Sequence, residues 1–274
     1  FVEGGRSDTT KLAARERRRL EQVLESYDAD GDGSPDLLDE QGLVNRERFD
    51  AQGHRGARGL RPENTFPAFE AALDHLMTTL ELDTNLTQHD VPIVTHDLRL
   101  EHHKCRRPRG ARYTEAQEHL IHEMTVRGIR TYFVCDVLQE GFSEQSRELS
   151  DSPVSVAFAR ARRISSPYIV PTLAEVFDFV EFYATYYRSG AGSSREGAAL
   201  RATNAERVRF NVELKRNPMN RALTADAPTF VREVLEVVDE ANLRPRVDIQ
   251  SFDFNTLIEM QRRASSIRTS YLFG

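Results

Sequence analysis

At 274 residues the chain can bury a full core as one large α/β domain or two smaller ones, and its 39% hydrophobic and 29% charged residues are an ordinary soluble balance. A formal net charge of -6 argues against broad nucleic-acid binding, which needs a basic face, yet leaves room for a phosphate ester held by a local arginine, lysine and metal. No apolar run approaches the roughly 18 residues of a membrane span.

The first residue is Phe1, which points to a cleaved signal peptide or another removed segment, with nothing to choose between them. Residues 8–27 read as a charged helix with Leu12, Leu20, Val23, Leu24 and Tyr27 on or near one face. The helix runs into DADGDGSPDLLDE, where Asp28, Asp30, Asp32, Gly33, Asp36 and Asp39 fall at positions 1, 3, 5, 6, 9 and 12 of a calcium loop. Alternate aspartates turn their oxygens inward around a hard cation, the glycine permits the sharp turn, and Ser34 is counted among the ligands. Asp39 replaces the longer glutamate and Pro35 stands where an EF-hand favours an aliphatic residue. The segment is therefore closer to the DxDxDGxxDxxD repeats of extracellular calcium proteins, with an acidic solvated linker as the alternative. Abundant extracellular calcium makes a periplasmic or secreted location the expectation. Cys105 and Cys135 fit neither a zinc framework nor a CxxC redox motif, and their spacing leaves a disulfide and two free thiols equally open.

Residues 1–48 thus form an N-terminal segment, and from residue 49 the pattern becomes strand, loop, helix, strand. A short strand over 49–54 breaks at Gly56 and Gly59, and Pro62 and Asn64 lead into a helix with Phe66, Phe69, Leu73 and Leu76 at helical spacing. Residues 78–86 and 91–96 alternate as strands. Residues 98–167 hold scattered histidines, many arginines and one strand candidate over 131–135, and they read as an insertion. Pro171 starts a helix with Leu173, Val176, Phe177 and Val180 on its core side, and SGAGSSREGA reads as a flexible loop. Strand, helix, strand, helix, strand follow over 210–215, 228–241, 247–252, 254–264 and 267–273. Such alternation implies a parallel sheet.

Glu81 and Asp83 stand two apart on a strand and so project from one face. A buried carboxylate pair is costly unless a positive group lies between its members, and a hard divalent cation answers that need. Glu213 and Lys215 repeat the spacing on a later strand, the acid able to join the metal and the lysine to hold an anion. His54 and Arg55 sit where a strand ends in a glycine-rich turn, and His96 ends another strand before Asp97. Two histidines beside a metal pair suit an acid and a base acting across one phosphorus, while Arg55 offers bidentate donors matched to phosphate oxygens. Read singly, each has a blander meaning as a surface acid, a structural histidine or a solvated cation. Glu101, His102, His103 and Cys105 could bind a transition metal, but the ligand set is incomplete.

HRGARGLRPENT, LELDTNLT, VPIVTHD, PTLAEVF, NVELK and IQSFD, in this order, resemble the glycerophosphodiester phosphodiesterase family over most of residues 49–274. The resemblance implies a (β/α)8 barrel of the phospholipase C-like phosphodiesterase type, with the catalytic groups at the C-terminal strand ends. It also implies Glu81, Asp83 and Glu213 as ligands of Ca2+ or Mg2+, His54 and His96 as the acid-base pair, and Arg55 and Lys215 at the phosphate. Asn64 takes a substrate or orienting role, Glu63 a structural one, and residues 98–167 occupy the place of the family's insertion. The implied reaction converts a glycerophosphodiester and water into glycerol 3-phosphate and an alcohol, through attack of the glycerol 2-hydroxyl and a cyclic phosphate. Related readings keep the site for lysophospholipid or sphingolipid headgroups, or make it a non-catalytic phosphate-ester or surface-binding protein. Strand centres near 54, 82, 95, 212, 249 and 271 give about six where a barrel needs eight, and the family's late tryptophan is absent. The expectation is a barrel C-terminally truncated after about six strands and so open on one side, with apolar faces of its first and sixth strands exposed.

Overall fold

A computed structural model describes Asp39 and residues 43–46 and 48–273. The expected helix over 8–27 and the calcium-loop residues Asp28, Asp30, Asp32, Ser34 and Asp36 lie outside the described residues. Asp39 lies within them, its Oδ1 accepting the Leu43 N–H at 3.0 Å. The chain divides after Ala51, and the unit Gln52–Gly274 carries the sheet.

Five parallel strands lie in the order β1 (Gln52–Gly53), β2 (Thr79–Leu86), β4 (Arg209–Leu214), β5 (Val247–Ser251) and β6 (Arg268–Tyr271). β3 (Pro92–Val94) pairs antiparallel with the end of β2. The helices are α1 (Phe66–Asp74), α2 (Val126–Tyr132), α3 (Pro153–Arg162), α4 (Leu173–Arg188), α5 (Ala198–Arg207), α6 (Ala227–Glu240) and α7 (Phe254–Arg263). None of the described helices is long and apolar enough to cross a membrane.

The period of two along the strands separates two chemistries. Leu80, Leu82, Phe210, Val212, Val247 and Ile249 join helix residues such as Phe66, Val176 and Phe230 in the main core. The register sets Glu81 opposite Asn211, Asp83 opposite Glu213 and Glu213 opposite Gln250, so the other face is polar. Each fully buried phenylalanine stabilises the fold by about 1.5–3 kcal/mol, and Phe66, Phe158 and Phe179 meet with ring centroids 5.0–5.3 Å apart.

Several expectations change. The strand expected over 91–96 is not a barrel strand: five residues separate it from β2, too few for a parallel crossover, and it turns back as a hairpin. The described sheet therefore has five parallel strands rather than six. The strand expected over 131–135 is the end of α2 followed by an isolated bridge between Arg106 and Val134. The first strand is shorter than 49–54, and α1 stops before Leu76, which takes a left-handed conformation (φ 55°) as its N–H and that of Met77 bond to the carbonyls of Leu73 and Ala72. The segment 98–167 is also not uniform: α3 packs Val154 and Phe158 into the main core, whereas Leu100, Cys105, Tyr113, Ile121, Ile129 and Phe133 form part of a second cluster. Cys105 and Cys135 are disulfide-bonded within this region. β1 and β6 each have one sheet neighbour among the described residues, which leaves the sheet unclosed. The exposed edge residue of β1 is the polar Gln52, while β6 exposes Tyr271.

Candidate active site

Glu81 and Asp83 on β2 and Glu213 on β4 converge so that one carboxylate oxygen of each lies within 4.8 Å of the others, and all are buried. Burial and the negative charges of Asp83 and Glu213 push the Glu81 carboxyl up to about 8. Burial opposes ionisation of Asp83 too, but Lys215 and Arg55 hold it below the ordinary aspartate value. Burial raises Glu213 even though Lys215 Nζ donates to its Oε1 at 2.9 Å. Asp83 Oδ1 is buried without a hydrogen-bond partner, 3.4 Å from Lys215 Nζ. An oxygen-only set with an orphaned acceptor and a suppressed acid fits a hard divalent cation, so these carboxylates form a candidate metal site.

The turn after β1 supplies the neighbouring positive groups. Gly56 takes φ 75° there, and a Cβ would fall 2.6 Å from the Ala68 backbone, so only glycine lets the turn pass under α1. Arg55 and Asn64 also have positive φ, 53° and 56°, and the Asn64 N–H donates to the Arg55 carbonyl at 3.0 Å. This backbone points the Arg55 N–H at Glu81 Oε2 (2.8 Å) and brings its Nη1 to both oxygens of Glu63 at 3.0 and 3.1 Å. Arg55 Nε lies 3.3 Å from Asp83 Oδ2. Asn64 Nδ2 donates to the same Asp83 oxygen at 2.8 Å, which orients the carboxylate. Glu63 is therefore joined to the site through Arg55, and not merely to its supporting loop.

The two histidines border one open cleft of about 400 Å³, together with Arg55, Glu81, Glu213 and Lys215. His54 Nε2 stands 3.8 Å from Glu81 Oε2. Burial, with Arg58 and Arg55 nearby, holds His54 below its ordinary 6.5. His96 Nδ1 and Asp97 Oδ1 are 2.7 Å apart, and burial of Asp97 is outweighed by that hydrogen bond and by Lys104, so Asp97 stays well below the usual carboxylate range. Phe252 and Leu272 add an apolar rim.

Three polar residues of the site had no assignment in the sequence. Gln250 Nε2 donates to Glu81 Oε1 at 3.0 Å, and Asn211 Nδ2 bridges Gln52 Oε1 at 2.9 Å and Gln250 Oε1 at 3.1 Å. Period-two spacing from Glu213 places Asn211 on the same face, which was the available signal. The second histidine cluster changes its membership. Cys105 is consumed by the disulfide, and the groups that come together are His102, His103 and Glu118, with His102 Nδ1 2.7 Å from Glu118 Oε1.

Together, the parallel strands and the turns that follow them gather these acids and bases on one polar face of an α/β sheet. Residues 54–188 match the sequence model of the Glycerophosphoryl diester phosphodiesterase family. A putative glycerophosphoryl diester phosphodiesterase from Silicibacter pomeroyi DSS-3 superposes with a TM-score of 0.60 at 28% identity, over 81% of this chain and 63% of that one. An Oleispira antarctica phosphodiesterase, solved in complex with the product sn-glycerol-3-phosphate, shares the fold at a TM-score of 0.50 and 16% identity, over 81% of this chain and 65% of its own. Glycerophosphodiester phosphodiesterase domain-containing protein 4 of Macaca fascicularis is 48% identical over 48 residues, 18% of this chain and 8% of that protein. The chain thus spans less than two thirds of the length of each of these relatives.

Proposed function

We propose that this chain carries a metal-dependent site that hydrolyses a glycerophosphodiester to glycerol 3-phosphate and an alcohol. The observation that carries the reading is the convergence of Glu81, Asp83 and Glu213 in a cleft that His54, His96, Arg55 and Lys215 also border. Ca2+ or Mg2+ held by these three carboxylates neutralises charge on the phosphate oxygens when bound. Arg55 and Lys215 add fixed positive charge beside the same oxygens. His54, held below its ordinary value, is neutral near pH 7 and serves as the base toward the attacking hydroxyl. His96, its Nδ1 engaged by Asp97, has Nε2 left to give a proton to the leaving alkoxide.

The test is release of glycerol 3-phosphate from glycerophosphocholine with Ca2+, Mg2+ or a chelator. Turnover is expected with metal and lost with chelator, and His54→Ala and His96→Ala are each expected to cost about a hundredfold or more. Unchanged turnover in both variants overturns the mechanism. The apolar rim of Phe252 and Leu272 favours a second substrate class, lysophospholipids, for which lysophosphatidylcholine would be cleaved faster than glycerophosphocholine. The disulfide supports an exported, periplasmic or secreted protein, since cystines persist in oxidising compartments. Recovery of the natural protein from a reducing cytosolic fraction would overturn that location.

A further inference from the structure

Lys104, in the segment after β3, reaches the cleft through its neighbours. Its Nζ pairs with Asp97 Oδ2, with Glu63 Oε1 at 3.1 Å and with Glu101 Oε2 at 3.3 Å, while 17% of its side chain meets solvent. Two of these carboxylates are held from the other side by cleft residues: Asp97 by His96 at 2.7 Å, and Glu63 by Arg55 at 3.0 and 3.1 Å. The result is an alternating chain, Arg55–Glu63–Lys104–Asp97–His96, that joins a phosphate-side arginine to an acid-base histidine. Burial opposes the Lys104 charge, but Glu63 and Asp97 overcome it and keep the ammonium above its ordinary value.

Resting on the function proposed above, we propose that Lys104 is a positioning residue, fixing Asp97 against His96 and Glu63 against Arg55. Lys104 thereby sets proton-transfer and phosphate-binding geometry without itself touching the reacting atoms. Its base is firm. The Lys104 N–H donates to the Glu101 carbonyl at 3.1 Å, the Lys104 carbonyl accepts the Val137 N–H at 3.2 Å, and the next residue, Cys105, is bonded to Cys135. A lysine with a purely structural role would serve carboxylates that end in solvent or scaffold, whereas both of these end on cleft side chains. Removing the ammonium leaves buried Glu63 and half-buried Asp97 short of a cation, and each is then free to turn away from its other partner.

Lys104→Met and Lys104→Arg distinguish the two roles. In glycerophosphocholine hydrolysis, Lys104→Met should lower kcat about tenfold through His96 and raise KM through Arg55, with Lys104→Arg restoring most of both. The low-field proton resonance of the His96–Asp97 hydrogen bond should be present in the parent and in Lys104→Arg, and displaced or lost in Lys104→Met. An unchanged resonance in Lys104→Met overturns the proposal, as does a kcat and KM within twofold of the parent. Should the parent hydrolyse no glycerophosphodiester, the functional reading fails by itself, and the resonance alone decides the role of the lysine.

Discussion

Arg55 makes three kinds of contact because its backbone sits at φ 53°, where few residues other than glycine are comfortable. The strain, on the order of 1 kcal/mol, is offset by the N–H bond to Glu81 and by the paired bonds to Glu63. Arg58, next but two along the same turn, acts at longer range as one of the charges that keep His54 low. Arg58→Ala removes that contribution, so with His54 as the proposed base the acid limb of the kcat/KM profile should move toward higher pH. An unmoved limb would show that another group carries it. At this scale much could be read from sequence, because acids, bases and glycines in short motifs declare their chemistry by residue type. His54, Arg55, Glu81, Asp83, His96, Glu213 and Lys215 all border one cleft or lie within its wall. Gln52, Asn211 and Gln250 did not stand out, since a neutral amide acquires a role only once neighbouring strands are in register.

Between elements, the junction of α1 with α3 rests on one carboxyl. Glu70, fully buried on α1, accepts the N–H groups of Val154 and Ser155 at 2.9 and 2.7 Å and the Ser155 hydroxyl at 2.6 Å. It serves the orphan donors of the α3 N-terminus, where the Ser152 side chain makes no cap bond. Burial outweighs these donors and pushes Glu70 up to about 7. Its folded-state value thus exceeds its unfolded one, so the folded chain holds the extra proton between about 4.5 and 7. That contribution is full below 4.5 and is lost as pH rises through about 7. Glu70→Gln should flatten this dependence in denaturant titrations and cost on the order of 1–3 kcal/mol, because its amide group faces donors. An undiminished slope would assign the pH dependence elsewhere. Helix α4 was legible from Pro171 and from large apolar residues at helical spacing, and the structure adds a capping box of Thr172 with Glu175 at its start. Helix α5 was not: its buried face is Ala198, Ala202, Asn204 and Ala205, too small or polar to give an apolar rhythm.

Across the molecule, the strand-helix alternation disclosed the parallel sheet, while the segment after β3 was opaque because, besides the short helices α2 and α3, its order comes from 3-10 turns, a small second core and the Cys105–Cys135 bond. The turns, the second core and the disulfide leave no periodic trace, and the two helices are too short for a strong one. The sheet also distributes the site unequally. Glu81 and Asp83 lie on an eight-residue strand buried throughout, and Glu213 lies on its paired neighbour. His54 follows a two-residue strand that pairs with β2 alone among the described residues. Local opening follows such differences, with weakly paired segments fraying at a small fraction of the global unfolding free energy. Amides at residues 53–55 should therefore exchange hydrogen faster than those at 81–84. In mild urea, turnover should fail while calorimetry still detects metal binding; a single midpoint for both would rule this out. As the fold loosens, the capacity to move a proton should be lost before the capacity to hold an ion.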